Sequence, residues 1–249
     1  MPSARTLETL EHLSPRCEVE RLQAVYQSYG QDQTVYQRWA ASNPGNRAVV
    51  GQRTRRLKRL LHHGGFLPLT RYRVLDAGCG GGSVLAELQD WGAVSGNLYG
   101  VDLLPERIEL ARRQFPHLHF QQANAEQLDF PDGSFDLVFL FTVFTSILDK
   151  QMAGNVANEV TRVLKPGGGV VWYDFRYNNP RNTNVRGVSK PTIRQLFPNF
   201  IVRLQPITLL PPLARRLGRS TPLLYPVLSL VPWLQTHYLG LLRKPETSK

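Results

Sequence analysis

The stretch Val74-Leu75-Asp76-Ala77-Gly78-Cys79-Gly80-Gly81-Gly82 decides how the rest of the chain reads. A short apolar run, residues 72–77, passes directly into a turn holding four glycines, and residues 83–91 then take helical spacing. Glycines let the main chain turn sharply and let a ligand approach it closely. The helix that follows presents N–H groups with no partner of their own. In an open α/β sheet, ligands bind at the carboxyl ends of the strands, where strand order reverses. A glycine-rich turn alone also fits an ordinary tight turn, so its surroundings must decide.

Downstream, strands and helices alternate. Residues 98–102 read as a second strand, 105–115 as a helix with proline in its first turn, and 119–122 as a third strand. Residues 135–141 form a fourth strand, apolar enough to be central. A helix at 152–164, a turn at Pro166-Gly167-Gly168 and a fifth strand at 169–175 follow. This order predicts a parallel sheet with helices on both faces. Beyond it come a polar loop (176–190), a short helix (192–197) and two more strands (200–207 and 236–243). The last two enclose a Pro- and Leu-rich insertion, 209–234. Upstream, residues 18–61 read as helical, with Tyr26, Tyr29, Tyr36 and Trp39 among them, split at Asn43-Pro44-Gly45-Asn46.

Asp102 ends the second strand, 20 residues after Gly82. A carboxylate there can accept both hydroxyls of a ribose; it can equally cap the helix that follows. A dinucleotide site is the competing reading, but its Gly-x-Gly-x-x-Gly spacing fits poorly, because Ser83 stands three residues after Gly80.

With these residues in place, the chain resembles the class I S-adenosylmethionine-dependent methyltransferases. Asp76 to Gly82 is similar to their first motif and Gly100-Val101-Asp102 to their acidic ribose motif. Phe135-Asp136-Leu137-Val138 and Arg162-Val163-Leu164-Lys165-Pro166-Gly167-Gly168 resemble the motifs on the fourth strand and before the fifth. The nearest subgroup is the small-molecule enzymes similar to ubiquinone and menaquinone methyltransferases. The resemblance implies a Rossmann-like three-layer α/β sandwich. Its mostly parallel seven-stranded sheet would have an antiparallel C-terminal strand, with residues 1–70 as an N-terminal helical cap and 71–249 as the cofactor-binding domain. It also implies S-adenosylmethionine as cofactor and S-adenosylhomocysteine as product. Asp76, Gly78, Cys79 and Gly80 would then lie by the methionine part, Asp102 and Leu103 by the ribose, Asn124 and Ala125 by the adenine, and Phe141 and Thr142 along the border. Asn124 stands where the family usually has aspartate; an amide oxygen still accepts a hydrogen bond, without the charge.

The sulfonium already activates the methyl group, so the protein's task is to align the acceptor with it. A base is needed only if the acceptor must lose a proton. Asp174 and Tyr173 after the fifth strand, and His237 on the last, are the catalytic candidates. Asp174 also suits a structural pair with Arg176 or Arg181, and His237 a structural place in its strand. Arg176 and Arg181 can bind an anion. With Tyr177, Asn178, Phe144, Tyr36 and Trp39 they are the candidate substrate contacts, although aromatic packing accounts equally for Tyr36 and Trp39. Asn179-Pro180 is a turn and not the DNA amine-methylation motif, which follows the fourth strand; no DNA partner is expected.

Charge is uneven. Residues 1–73 carry 12 Lys/Arg and 5 Asp/Glu, residues 74–175 carry 6 and 13, and residues 176–249 carry 12 and 1. Basic ends around an acidic middle suit an anionic partner, or simply a solvated basic surface. The insertion, with Arg215, Arg216 and Arg219 beside its prolines and leucines, reads as an apolar lid with a basic edge. It would suit an amphiphilic or anionic acceptor such as an isoprenoid diphosphate, or a peripheral membrane contact. Two cysteines far apart, Cys17 and Cys79, predict neither a disulfide framework nor a metal site. The polar start without an apolar core predicts a cytoplasmic protein. Three readings remain: a small-molecule methyltransferase, an RNA methyltransferase (without any RNA-binding module to support it), and a catalytically silent S-adenosylmethionine-binding protein.

Overall fold

The computed structural model describes residues 15–31, 37 and 40–246. Its strands are β1 (Val74–Ala77), β2 (Leu98–Asp102), β3 (His119–Gln122), β4 (Phe135–Phe141), β5 (Leu164–Phe175), β6 (Ile201–Leu209) and β7 (Gln235–Arg243). They form one sheet in the order β3-β2-β1-β4-β5-β7-β6. Only β7 runs against the others, pairing antiparallel with β5 and β6. The apolar β4 takes the central place that its composition requires, between β1 and β5. Strand order reverses between β1 and β4, and the glycine-rich turn leaves β1 at that reversal, where open sheets form their ligand crevice.

Eight helices are present among the described residues: α1 (Pro15–Gln31), α2 (Pro44–His63), α3 (Ser83–Asp90), α4 (Pro105–Gln114), α5 (Lys150–Val163), α6 (Lys190–Leu196), α7 (Pro211–Arg216) and α8 (Thr221–Leu228). Leu57 and Leu61 of α2, Leu85 and Leu88 of α3 and Ile108 of α4 pack with Val74, Phe139, Val171 and Leu239 on one face of the sheet. Met152, Val156 and Val160 of α5 and Ile193 of α6 pack with Leu75, Val138, Leu140 and Trp172 on the other. The result is the expected three-layer Rossmann-like sandwich.

Two of the motif segments hold the frame together. Asp136 accepts hydrogen bonds from the Arg73 N–H (2.8 Å) and from Lys165 (2.9 Å), tying β4 to the approach of β1 and the start of β5. Arg162 reaches the carbonyls of Leu128 and Phe130 and the carboxylates of Glu159 and Asp132, fixing the loop that enters β4.

Local readings differ at three places. Asn43-Pro44-Gly45-Asn46 opens α2 instead of interrupting a helix. Asn43 accepts from the N–H groups of Gly45 (2.8 Å) and Asn46 (3.3 Å), and Pro44 supplies a helix-ready φ at the first position. β5 begins at Leu164, so the Pro-Gly-Gly segment belongs to the strand, with an irregular register opposite Phe135 and Leu137. The insertion is helical: its prolines start α7 and α8, where a missing N–H costs nothing.

Candidate functional site

Asp102 and the glycine turn organise the carboxyl end of the sheet. The N–H groups of Gly78 and Cys79 both donate to the Val101 carbonyl (2.8 and 2.9 Å), which folds the turn back onto β2. Gly78 has φ 86°, and a side chain there would press on Val143; glycine is what that position accepts. Asp102 then holds both flanks, accepting from the Gly80 N–H (2.8 Å) and the Leu104 N–H (3.0 Å). Each carboxylate oxygen keeps a further lone pair for a guest.

A cavity opens beside this turn, at the carboxyl ends of the strands where open sheets take their ligands. Its floor includes Gly78, Asp102, Leu103, Asn124, Ala125 and Phe141. Thr142, at its rim, has φ 57°, a conformation that costs a β-branched residue strain. It is held there by its N–H to the Tyr173 carbonyl (2.7 Å) and its hydroxyl to the Phe141 carbonyl (2.7 Å).

The roof is α1. Leu22 and Tyr26 line the cavity from above. Tyr26 shares a hydrogen bond with the Ser146 hydroxyl (2.7 Å), and the Arg107 guanidinium lies 4.6 Å from its ring centroid. Buried Glu18 anchors the helix by accepting from Arg21 and from the Leu148 N–H (2.6 Å). Burial alone would raise the Glu18 carboxyl, but these partners outweigh it and hold it below the usual carboxylate range.

Asp76 lies beneath the turn, fully enclosed, and neither of its oxygens has a hydrogen-bond partner. Burial first, and then the neighbouring Asp102 charge, push it up to about 7, with Arg53 opposing. A buried carboxylate without donors is costly, and its chemistry fits a guest bearing an ammonium or N–H group.

Residues 74–168 match the methyltransferase domain family. The chain carries the domain of the class I S-adenosylmethionine-dependent methyltransferases. It is 31% identical over 185 residues to a 2-methyl-6-phytyl-1,4-hydroquinone methyltransferase of Synechocystis, covering 68% of this chain and 54% of that protein. It is 33% identical over 109 residues to a ubiquinone/menaquinone biosynthesis C-methyltransferase of Geobacter, covering 41% and 45%. The match thus spans about half the length of these relatives. Among solved structures, the 1,6-didemethyltoxoflavin-N1-methyltransferase of Burkholderia thailandensis, solved with 1,6-didemethyltoxoflavin and S-adenosylhomocysteine bound, is 19% identical. It superposes with a TM-score of 0.63, over 95% of this chain and 92% of its own. At that identity the likeness shows the fold.

Within the methyltransferase frame, seven of the expected cofactor contacts border the cavity: Gly78, Asp102, Leu103, Asn124, Ala125, Phe141 and Thr142. Asn124 is already engaged, its oxygen accepting from the Glu126 N–H and its amide donating to the Glu126 carboxylate, both at 3.0 Å. Gly80 supports Asp102 through its N–H. The Cys79 side chain turns into the core, and burial drives its thiol pKa far upward.

Among the described residues, the expected catalytic and substrate contacts do not line the cavity. Asp174 pairs with neither arginine; it accepts from the N–H groups of Thr145 (3.0 Å) and Phe175 (2.8 Å), and burial pushes it up to about 7. Tyr173 faces the α2 side, its hydroxyl on Thr208 (2.9 Å) and its ring stacked on His237 at 4.6 Å. His237 is enclosed, with Nδ1 bonded to the Thr236 hydroxyl (2.9 Å), and burial lowers it to about 3. It is therefore a poor match for a base working near neutrality. Phe144 packs on Trp172 at 5.1 Å instead of facing a ligand. Arg176 stacks on Tyr177 and Tyr238 and bonds the Pro232 carbonyl, while the Asn178 side chain accepts from Gly187 and Arg181 is exposed. Tyr36 and Trp39 lie outside the described residues. The insertion contributes nothing to the cavity lining. It packs onto α2 through Val49, Leu209, Ala214 and Tyr225, so the roof over the cavity is α1 and not the expected lid.

Tyr26, Arg107, Ser146 and Met152 also line the cavity and carry no motif. Arg107 had a usable signal: it stands in the first turn after the strand that Asp102 ends.

Proposed function

We propose that this chain transfers a methyl group from S-adenosylmethionine to a small amphiphilic acceptor of the hydroquinone type. The observation that carries the reading is the pairing, across one glycine turn, of Asp102 at the cavity with Asp76 buried and unpartnered beneath it. A ribose offers two hydroxyls to the first, and the methionine ammonium offers a cation to the second. Leu103, Ala125 and Met152 give an apolar bed for adenine, and the Asn124 oxygen retains a lone pair for its amino group.

The bound cofactor supplies an electrophilic methyl on a sulfonium. The chain's own residues orient and enclose. Thr142 and Val143 form the rim on which an acceptor would rest, and Tyr26 with Leu22 closes over it and keeps water out. The two relatives named for hydroquinone and quinone substrates support a ring acceptor with an apolar tail, and the apolar wall of Leu22, Val143 and Ile147 suits one. No described side chain stands out as the base. Alignment alone supplies catalysis on the scale of intramolecular reactions.

The test is transfer of labelled methyl from S-adenosylmethionine to a prenylated hydroquinone, to the same ring without its chain, and to mixed RNA. Label in the prenylated ring is the expected result. Label in RNA alone would replace this reading by the RNA one, and tight cofactor binding with no transfer to any of the three would favour a binding protein.

A further inference from the structure

The segment 221–234 contains no charged side chain, and its largest apolar residues face outward. In α8, Thr221 and Tyr225 turn into the fold, followed by Ser229 one turn later, all buried. The opposite side carries Leu223 (75% exposed) and Val227 (61%), and Leu230 (75%) and Trp233 (76%) continue it. Solvent-facing helix surfaces are normally polar, and a contiguous apolar surface of this kind marks an interaction site. Arg216 and Arg219 stand exposed at the end of the segment. The wider region is one-signed: residues 176–245 hold 11 Lys/Arg and no Asp/Glu.

We propose that this insertion docks peripherally on an anionic lipid surface. Leu223, Val227, Leu230 and Trp233 enter the boundary between headgroups and acyl chains, and Arg216 and Arg219 meet the lipid phosphates. Charge separates this partner from a second copy of the chain. Self-association would bring two strongly basic regions together, whereas an anionic surface complements them. Tryptophan favours the headgroup level. The contact lies on the surface because no helix among the described residues is long and apolar enough to cross a bilayer. An apolar face joined to a basic edge supplies the two signals that stable peripheral attachment needs. The inference does not depend on the transferase reading, since neither the patch nor its arginines line the cofactor cavity.

The experiment is co-sedimentation of the whole chain with unilamellar vesicles, without cofactor. Vesicles of phosphatidylglycerol and phosphatidylcholine are compared with pure phosphatidylcholine, at low and high salt. Binding is expected to the anionic vesicles only, and to weaken with salt. Leu223→Asp combined with Leu230→Asp should lower partition at least about tenfold, and Arg216→Ala and Arg219→Ala about fivefold each. S-adenosylhomocysteine affinity, unchanged in every variant, serves as the readout of folding. The proposal is overturned if the unaltered chain stays in the supernatant with anionic vesicles, or if both vesicle types bind equally. It is also overturned if the chain forms a dimer that Leu223→Asp disrupts while no vesicle is bound.

Discussion

Asp76 and Asp102 stand at the ends of adjacent parallel strands, and only Asp102 is held by protein donors. The unpartnered carboxylate has the raised proton affinity, at about 7. Below that value Asp76 is mostly protonated and must lose its proton to receive an ammonium; above it, the charge is already present. S-adenosylmethionine affinity should therefore rise with pH up to about 7 and then level off. Calorimetric titration between pH 5.5 and 8 measures this, and Asp76→Asn should bind more weakly and flatten the profile. A profile that stays steep in Asp76→Asn would assign the titration elsewhere. Stability should move the opposite way. The folded state binds this proton more tightly than the unfolded chain, so the contribution is present at low pH and lost as pH rises through about 7.

Asp102→Ala removes the carboxylate proposed to accept the ribose hydroxyls and also strands the N–H groups of Gly80 and Leu104. Cofactor binding should weaken by about 1–3 kcal/mol, the scale of a lost charge-assisted hydrogen bond. Unchanged affinity in equilibrium dialysis would remove Asp102 from the site.

The roof should respond to a single oxygen. Tyr26→Phe keeps the ring under Arg107 but deletes the bond to Ser146, worth about 1 kcal/mol. Release of S-adenosylhomocysteine, followed by stopped flow, should quicken about fivefold, while the global unfolding midpoint changes little. An unaltered release rate would mean that α1 does not gate the cavity.

His237→Phe preserves the aromatic stack between Tyr173 and Phe175 and loses only the bond to Thr236. If His237 is not the base, methyl transfer should keep the shape of its pH profile. Loss of one limb of that profile would restore it as a proton acceptor.

The sheet was legible because its signals are local. Glycine turns, apolar runs and Asp102 each sit where one strand ends, and the boundaries of β2, β3 and β4 fall where the pattern puts them. The residues expected around the cofactor carry the same local signal, and seven of them border the cavity. The placement of the catalytic and substrate candidates was not legible, because it depends on which face of a strand a residue takes. Tyr173 and Asp174 are neighbours in sequence and point to opposite sides of β5: one packs with Leu239 and Phe141, the other anchors the loop after β4. Tyr26 and Arg107 are 81 residues apart in the chain and meet only in the folded roof. The insertion's proline pattern indicated its surface character but not its seat on α2, which the tight approach of Gly45 to the Ala214 carbonyl fixes.

That seat on α2 has a thermodynamic consequence. Val49 packs against the insertion, and Arg53, one turn along the same helix, lies over the rings of Phe141 and Tyr173. One helix therefore packs against the inner side of the insertion that carries the exposed apolar patch and against Phe141, which lines the cavity. Linkage between two such contacts is symmetric. Whatever factor attachment at the surface imposes on occupancy of the cavity, occupancy must return to attachment, so vesicle partition compared with the cavity filled and empty measures that factor.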